Sequence, residues 1–172
     1  KGTTSSPYYL ALGRMVPYKR FDLLIETANA LQLPLKIAGK GQDMPRLQAM
    51  AGPTVEFLGF VPDAELPELF GNAEALLHPQ FEDAGVTALE AQACGTPVIA
   101  YGNGGALDTI KDGVSGIFFT EQTVDALGAA IERFSTLSFD HEAIRTHAQS
   151  FSSTEFRKKI LSSIEEELGH SL

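Results

Sequence analysis

Cysteine is nearly absent from the sequence: Cys94 is the single thiol among 172 residues. One cysteine excludes an internal disulfide and any cysteine-rich metal site. Cys94 lies between Ala93 and Gly95 and is expected to be a small, buried packing residue. No apolar run approaches the roughly 18 residues that cross a bilayer, and residues 1–7 lack a signal-peptide core. We interpret residues 1–7 as a linker and expect a cytoplasmic protein.

Basic residues are missing from a long central stretch. The net charge is -9, which argues against a nucleic-acid partner. Residues 47–110 contain no Lys or Arg, whereas nine carboxylates lie there: Glu56, Asp63, Glu65, Glu68, Glu74, Glu82, Asp83, Glu90 and Asp108. A short segment near the amino end holds Arg14, Lys19 and Arg20 together. This segment is the expected source of positive charge for an anionic ligand, and solvated surface charge is the alternative.

Short apolar runs alternate with helical patterns along the chain. The predicted strands are residues 8–12, 35–38, 55–58, 75–78, 97–100 and 117–119. The predicted helices between them are 21–31, 43–50, 63–72 with Asp63 as a capping residue, and 87–93. Three further helices are predicted at 123–134, 140–149 and 153–168, and residues 102–105 are predicted to form a flexible turn.

Strict alternation of strands and helices indicates parallel strands joined by crossover helices. We therefore predict one α/β domain, a Rossmann-like doubly wound sheet of about six strands. Helices are expected on both faces, with a helical tail at the carboxyl end. In such sheets, ligands bind beyond the carboxyl ends of the strands, where the strand order reverses.

The loop after the first predicted strand contains Gly13, Arg14 and Lys19. An Arg side chain holds phosphate oxygens with a planar fork, and Lys adds a mobile charge. Two cations on one short loop suit a diphosphate. A basic loop that only favours solubility is the alternative.

A second group of residues surrounds the start of the helix at 87–93. Glu82 lies in the preceding loop and Glu90 lies inside the helix, with Gly85, Val86 and Thr87 between them. Free amides and the dipole at a helix start favour an anion, and Gly85 permits close approach to the backbone. The carboxylates are suited to accept hydrogen bonds from the hydroxyls of a sugar or a ribose. Two solvated surface acids are the alternative.

Other readings fit the residues less well. A glycoside hydrolase pair leaves the basic loop and the helix start unused. No G-x-x-x-x-G-K-[ST] loop is present, and the glycines at 102–105 lack the full dinucleotide-binding spacing. His78 ends a predicted strand near the proposed site, where it either touches a ligand or is only a strand-end residue.

Residues 82–100, EDAGVTALEAQACGTPVIA, resemble the signature of the retaining glycosyltransferases called group 1, or family four. Gly13-Arg14 through Lys19, Phe57-Leu58-Gly59 before Val61, and Gly104-Gly105-Ala106 are similar to the same family in the same order. The resemblance covers nearly the whole chain. It implies one half of a two-domain enzyme of the B type, in which this half is the carboxyl-terminal, donor-binding domain and an amino-terminal acceptor domain is absent.

The resemblance also implies roles for individual residues. It assigns the diphosphate to Arg14 and Lys19 beside Gly13, and to the amides of Val86 and Thr87 after Gly85. It assigns the ribose to Glu90, the donor sugar to Glu82, and the base to the loop around Val61. Family members need no tightly bound metal, so no cofactor is expected besides the donor substrate. Ala84 departs from the Phe that the family often has there, which puts the sugar pocket in doubt.

The function that the resemblance implies is transfer of a sugar, with retention, from a nucleoside-diphosphate sugar. Details around residues 17–20, 91–94 and 104–108 are most similar to bacterial mannosyltransferase-like members of polysaccharide biosynthesis, which favours GDP-mannose. The expected acceptor is a glycan or lipid-linked glycan bound by the other half, through which the protein would reach the inner face of a membrane. The chain alone is expected to bind nucleotide weakly and to transfer nothing. A nucleotide-sugar epimerase and a noncatalytic nucleotide-binding module are the alternatives.

Overall fold

A computed structural model describes residues 7–168, without the side chain of Leu168. Its centre is a six-stranded sheet in which all paired strands are parallel. The strands are β1 (Tyr9–Leu12), β2 (Leu35–Ala38), β3 (Val55–Gly59), β4 (Ala75–His78), β5 (Val98–Tyr101) and β6 (Gly116–Phe119). Their order is β3-β2-β1-β4-β5-β6. The chain therefore winds outward in both directions from β1 and β4, which confirms the predicted doubly wound class.

Within residues 7–168, eight α-helices connect and follow these strands. They are α1 (Phe21–Leu31), α2 (Met44–Met50), α3 (Leu66–Gly71), α4 (Val86–Ala93), α5 (Ala106–Thr109), α6 (Val124–Ser135), α7 (His141–Gln149) and α8 (Ser153–Leu168). In the described part of the chain, no helix is long and apolar enough to cross a membrane.

The sheet has an apolar core on each face. One core joins α1, α2 and α6 to inward side chains such as Ile37, Ile99 and Ile117. The other joins α3, α4 and α5 to Leu10, Leu76 and other strand residues that point the opposite way. Burial on both faces explains why the strands are short runs of apolar residues without polar alternation.

The structure corrects three sequence expectations. Asp63 caps no helix, because residues 63–65 form a turn and α3 begins only at Leu66, with Glu65 at its cap position and no side-chain capping bond. The turn at residues 102–105 leads into α5, a short helix that the glycines concealed. Cys94 is only partly buried, against the core beneath α3 and α4.

Helix α7 packs against α4 and caps its carboxyl end. His141 Nδ1 lies 2.8 Å from the carbonyl oxygen of Gly95, and Arg145 Nη2 donates to that of Cys94 at 3.2 Å. Cys94 and Gly95 are the two residues directly after α4, so these side chains hold the backbone that ends the helix from a different part of the chain.

Candidate functional site

The reversal of strand order lies between β1 and β4, which are direct neighbours in the sheet. The β1–α1 loop (residues 13–20) and the β4–α4 loop (79–85) leave the carboxyl ends of these two strands. A cavity of about 570 Å³ opens between them, lined by Tyr18, Lys19 and residues 81–87. Its volume falls within the range of small-molecule sites.

The β1–α1 loop turns Lys19 back toward the sheet edge. Residues Pro17–Lys19 form one 3-10 turn, and Arg20 follows in the left-handed conformation with φ 53°. The Lys19 side chain then passes Gly13, where an added Cβ would lie 3.4 Å from Nζ. At that distance a Cβ would make only ordinary contact, so glycine at position 13 is favoured by its backbone conformation, φ +150°, and not by the space that the lysine needs.

Lys19 and Glu82 form an ion pair across the cavity. The distance from Lys19 Nζ to Glu82 Oε1 is 2.5 Å, and the side chains are only 12% and 18% exposed. Charges this sheltered are weakly screened by salt. The cation and the acid that the sequence places in separate loops therefore meet in one site.

The amino end of α4 opens into the same cavity. Gly85 precedes the helix with φ 60° and ψ 40°, and no side chain caps it. The left-handed conformation favours glycine, whereas space does not, because an added Cβ would meet its nearest atom only at 3.6 Å. Val86 and Thr87 carry amides that have no acceptor within the helix, so this end offers hydrogen-bond donors to an anion.

Two other loops fix the backbone around Glu82. Gly105 N donates to the Glu82 carbonyl oxygen at 2.7 Å, and an added Cβ on Gly105 would lie 2.1 Å from the carbonyl oxygen of Asp83. Gln122 Nε2 donates to the Pro79 carbonyl oxygen at 2.7 Å, and its own Oε1 accepts from Arg20. The loops around the cavity are therefore tied to one another through backbone contacts.

Four predicted site residues do not line this cavity. Gly13 lies beside the Lys19 side chain. Arg14 is exposed. Val61 lines a separate cavity of about 540 Å³ beside β3 and α3. Glu90 lies on the side of α4 that faces Asp63, where burial raises the pKa of its carboxyl and Asp63 raises it further. Their roles stay predictions. Among the described residues, no cluster of His, Cys, Asp and Glu side chains is suited to hold a metal ion.

The sequence did not identify Gln80 or Gln122 as parts of the site. Gln80 is 4% exposed and lies 3.1 Å from His78 Nδ1, measured from its Nε2. Gln122 lies in the loop before α6, far along the chain. In a sequence, a glutamine in a loop looks like any other polar surface residue. Only the burial of Gln80 and the hydrogen bonds of Gln122 in the structure show that both residues belong to the site.

Comparison with known proteins places this site in context. The sequence model of the family described as "Glycosyl transferases group 1" matches residues 3–151. A GDP-mannose-dependent alpha-(1-6)-phosphatidylinositol monomannoside mannosyltransferase of Mycolicibacterium smegmatis is 33% identical over 148 residues, covering 76% of this chain and 39% of the relative. A D-inositol 3-phosphate glycosyltransferase of Geodermatophilus obscurus is 34% identical over 167 residues, covering 83% and 36%.

A similar solved structure is that of Anabaena HepE in complex with UDP-glucose. It is 25% identical, with a TM-score of 0.73, over 95% of this chain and 49% of that one. The chain thus spans about half of this structure and less than half of the two sequence relatives.

Proposed function

Because the chain belongs to the glycosyl transferases group 1 family, we propose that its cavity between the β1–α1 and β4–α4 loops binds a nucleoside-diphosphate sugar. In the full-length protein this site supplies the donor for a glycosyl transfer. The observation that carries the proposal is the meeting of Lys19, Glu82 and the open end of α4 at the reversal of strand order. This position is where doubly wound sheets bind nucleotides.

The proposed chemistry assigns one part of the donor to each part of the site. Lys19 and the amides of Val86 and Thr87 hold the diphosphate, with Arg14 closing over it from the loop. When the bond to the sugar breaks, negative charge grows on the leaving nucleoside diphosphate. Cations and amides that are already oriented stabilise that charge without reorganising.

Carboxylates bind the hydroxyl groups of the donor in this proposal. Glu82 orients the sugar, because it lines the cavity beside the amides. Glu90, one turn further along α4, accepts hydrogen bonds from the ribose, and the loop around Val61 holds the base. A hydrolytic pair of Glu82 and Glu90 is disfavoured, because Glu90 lines other cavities than Glu82 does.

GDP-mannose is the first donor that we propose to test. The name of the similar mannosyltransferase of Mycolicibacterium smegmatis specifies GDP-mannose as the donor. Residues 17–20 and 104–108 of this chain also resemble mannosyltransferase-like members of the family. UDP-glucose is the second candidate, because HepE holds it in a structure that superposes on 95% of this chain.

We propose transfer with retention, to a glycan or lipid-linked glycan, for the protein that contains both this chain and an acceptor-binding domain. A sugar transferred by the combined protein would decide against a noncatalytic nucleotide-binding module. Conversion of the donor sugar without an acceptor would instead indicate an epimerase. The family resemblance supports the transfer reaction over both alternatives.

Calorimetry with GDP, UDP, GDP-mannose and UDP-glucose tests the site directly. Lys19→Gln removes the buried cation, and we expect the dissociation constant of the preferred nucleoside diphosphate to rise roughly tenfold to a hundredfold. A hydrogen bond to a charged group contributes roughly 1.5–3 kcal/mol, and about 1.4 kcal/mol changes the constant tenfold.

Lys111→Gln is the matched control, because Lys111 is an exposed lysine away from the cavity. It should bind as the unmodified chain does. An equal loss in both variants would indicate nonspecific charge attraction. A folded chain that binds none of the four nucleotides at millimolar concentration would refute the site.

A further inference from the structure

His78, the last residue of β4, lies directly beneath the candidate donor site. Its side chain is 2% exposed, and its Nδ1 lies 3.1 Å from Nε2 of Gln80, which is itself 4% exposed. The amide nitrogen of a glutamine is a donor only, so Nδ1 accepts and the ring carries its proton on Nε2. Gln80 therefore selects the tautomer of His78.

The protonated nitrogen points toward Glu82 and Gly85, two residues that line the cavity. His78 Nε2 is buried and has no hydrogen-bond partner within the described part of the chain. Its nearest acid is Glu82, whose Oε2 lies 3.9 Å away, and an added Cβ on Gly85 would lie 3.8 Å from it. The opposite tautomer would direct a lone pair at this carboxylate, so Glu82 favours the same proton position as Gln80.

The imidazole ring is neutral at physiological pH. The pKa of His78 is lowered to about 4, chiefly by burial, with the charge of Glu82 opposing the shift and the charge of Lys19 contributing to it. A neutral ring with its proton on Nε2 donates one hydrogen bond and adds no charge to the cavity. A neutral donor is suited to this position, because it leaves the positive charge of Lys19 and the negative charge of a bound diphosphate unchanged.

Glu82 has one strong partner, Lys19, which the proposed function also assigns to the diphosphate. A bound diphosphate competes for that lysine and leaves Glu82 in need of another donor. The 3.9 Å separation of Glu82 Oε2 from His78 Nε2 exceeds an ordinary N–H···O distance of about 2.9 Å by about 1 Å. A rotation of the carboxylate closes a gap of this size.

We propose that His78 is a positioning residue, whose Nε2–H group takes hold of the Glu82 carboxylate when the donor's diphosphate takes over Lys19. The bond orients Glu82 toward the hydroxyl groups of the sugar. This role rests on the proposed donor-binding function. It goes beyond that function because it links two events at the Glu82 carboxylate: binding of the diphosphate comes first, and recognition of the sugar follows.

Two variants of His78 separate its donor role from its packing role. His78→Leu keeps an apolar side chain under the site but removes the donor, whereas His78→Gln returns an amide N–H to the region of Nε2. We expect His78→Leu to weaken binding of GDP-mannose or UDP-glucose roughly tenfold, since the lost bond serves a charged group. Without a sugar in the site, water can donate to the released Glu82 carboxylate in place of His78. Binding of GDP or UDP should therefore change less than about twofold, and His78→Gln should restore most of the loss in sugar-nucleotide affinity.

A double-mutant cycle tests whether His78 acts through Glu82. In the Glu82→Gln background, His78→Leu should cause little additional loss of sugar-nucleotide affinity. Equal weakening of the nucleoside diphosphate and its sugar conjugate, or full additivity with Glu82→Gln, would overturn the role of His78 while leaving the donor site intact. Failure of the unmodified chain to bind any nucleotide would instead overturn the proposed function, and this role with it.

Nitrogen-15 NMR of the unmodified chain provides a measurement that needs no variant at position 78. We expect a protonated Nε2 and an unprotonated Nδ1 in His78, and a downfield shift of the Nε2 proton when the sugar nucleotide is added. A proton on Nδ1 would contradict the proposal. An Nε2 proton that does not respond to saturating sugar nucleotide would assign His78 a purely structural role.

Discussion

Acidification is expected to destabilise the fold through the buried ring of His78. The ordinary pKa of a histidine is 6.5, and burial, with Lys19 adding to it and Glu82 opposing it, lowers that of His78 to about 4. Between these values the unfolded chain binds a proton that the folded chain excludes, so the free energy of unfolding falls as the pH falls. The difference is about 2.5 pH units, or about 3 kcal/mol at about 1.36 kcal/mol per unit.

Most of this decrease in the free energy of unfolding occurs at pH values above the folded-state pKa. By about pH 5 the decrease amounts to about 2 kcal/mol. Urea unfolding followed by far-ultraviolet circular dichroism measures it, at several pH values from about 8 to about 5. The matched variant is His78→Gln, which cannot take up the proton. Because the carboxylates titrate in both proteins, the difference between their unfolding free energies isolates the histidine.

The unmodified protein should lose about 2 kcal/mol relative to His78→Gln over this range, a large part of a typical total of roughly 5–15 kcal/mol. Parallel profiles would show that His78 accepts its proton in the folded state near the ordinary pKa. The ring would then be hydrated, and its neutral state beneath the cavity would be refuted.

Two further predictions concern the scaffold. Asp140→Ala removes a carboxylate that accepts hydrogen bonds from the amides of Glu142 and Ala143. The free energy of unfolding in urea should therefore fall by about 1 kcal/mol. Asp63→Ala removes no helix cap, so its free energy of unfolding should stay within about 0.5 kcal/mol of that of the unmodified chain. Equal losses would contradict the observed start of α3. Gly105→Ala forces its Cβ against the Asp83 carbonyl and should lower stability by roughly 1–3 kcal/mol and weaken nucleotide binding, measured by thermal unfolding and calorimetry. Gly71→Ala, where a Cβ meets nothing within 4 Å, should do neither, and an unaffected Gly105→Ala would refute the tight contact between the two loops.

Hydrophobic periodicity predicted much of the fold, since α1, β2, β4 and α8 have the bounds that their patterns indicate. The prediction that failed was the helix cap at Asp63, which rested on the capping preference of aspartate and not on periodicity. Glu65 N donates instead to the Pro62 carbonyl oxygen at 2.9 Å, which closes a turn before α3. A cap preference of about 1 kcal/mol is easily outweighed by how the loop joins the sheet.

The position of the site was predictable from the topology of the sheet, whereas the contacts between its side chains were not. Strand alternation placed the loops that contain Lys19 and Glu82 at one edge of the sheet, because parallel strands end on the same side. The ion pair between them lies beside a 3-10 turn that ends at Arg20 in the left-handed conformation, which arginine rarely adopts and which the sequence does not indicate. The tautomer of His78 likewise depends on the burial of Gln80, which polarity alone does not reveal.

Because α7 packs against α4, the part of the chain that supports the proposed site extends beyond the last strand of the sheet. Helix α4 has eight residues, too few to be stable without its packing partners. Gly95, with φ +85°, follows it, and an added Cβ there would lie 2.8 Å from the Arg145 guanidinium carbon. The left-handed conformation therefore explains a glycine in the middle of the family signature, whereas Arg145, 51 positions from Cys94, meets that position only with the end of a flexible side chain. Although α7 follows the last strand, it packs against α4, whose start opens into the proposed donor site, so dividing the chain after β6 would separate that helix from its packing partner.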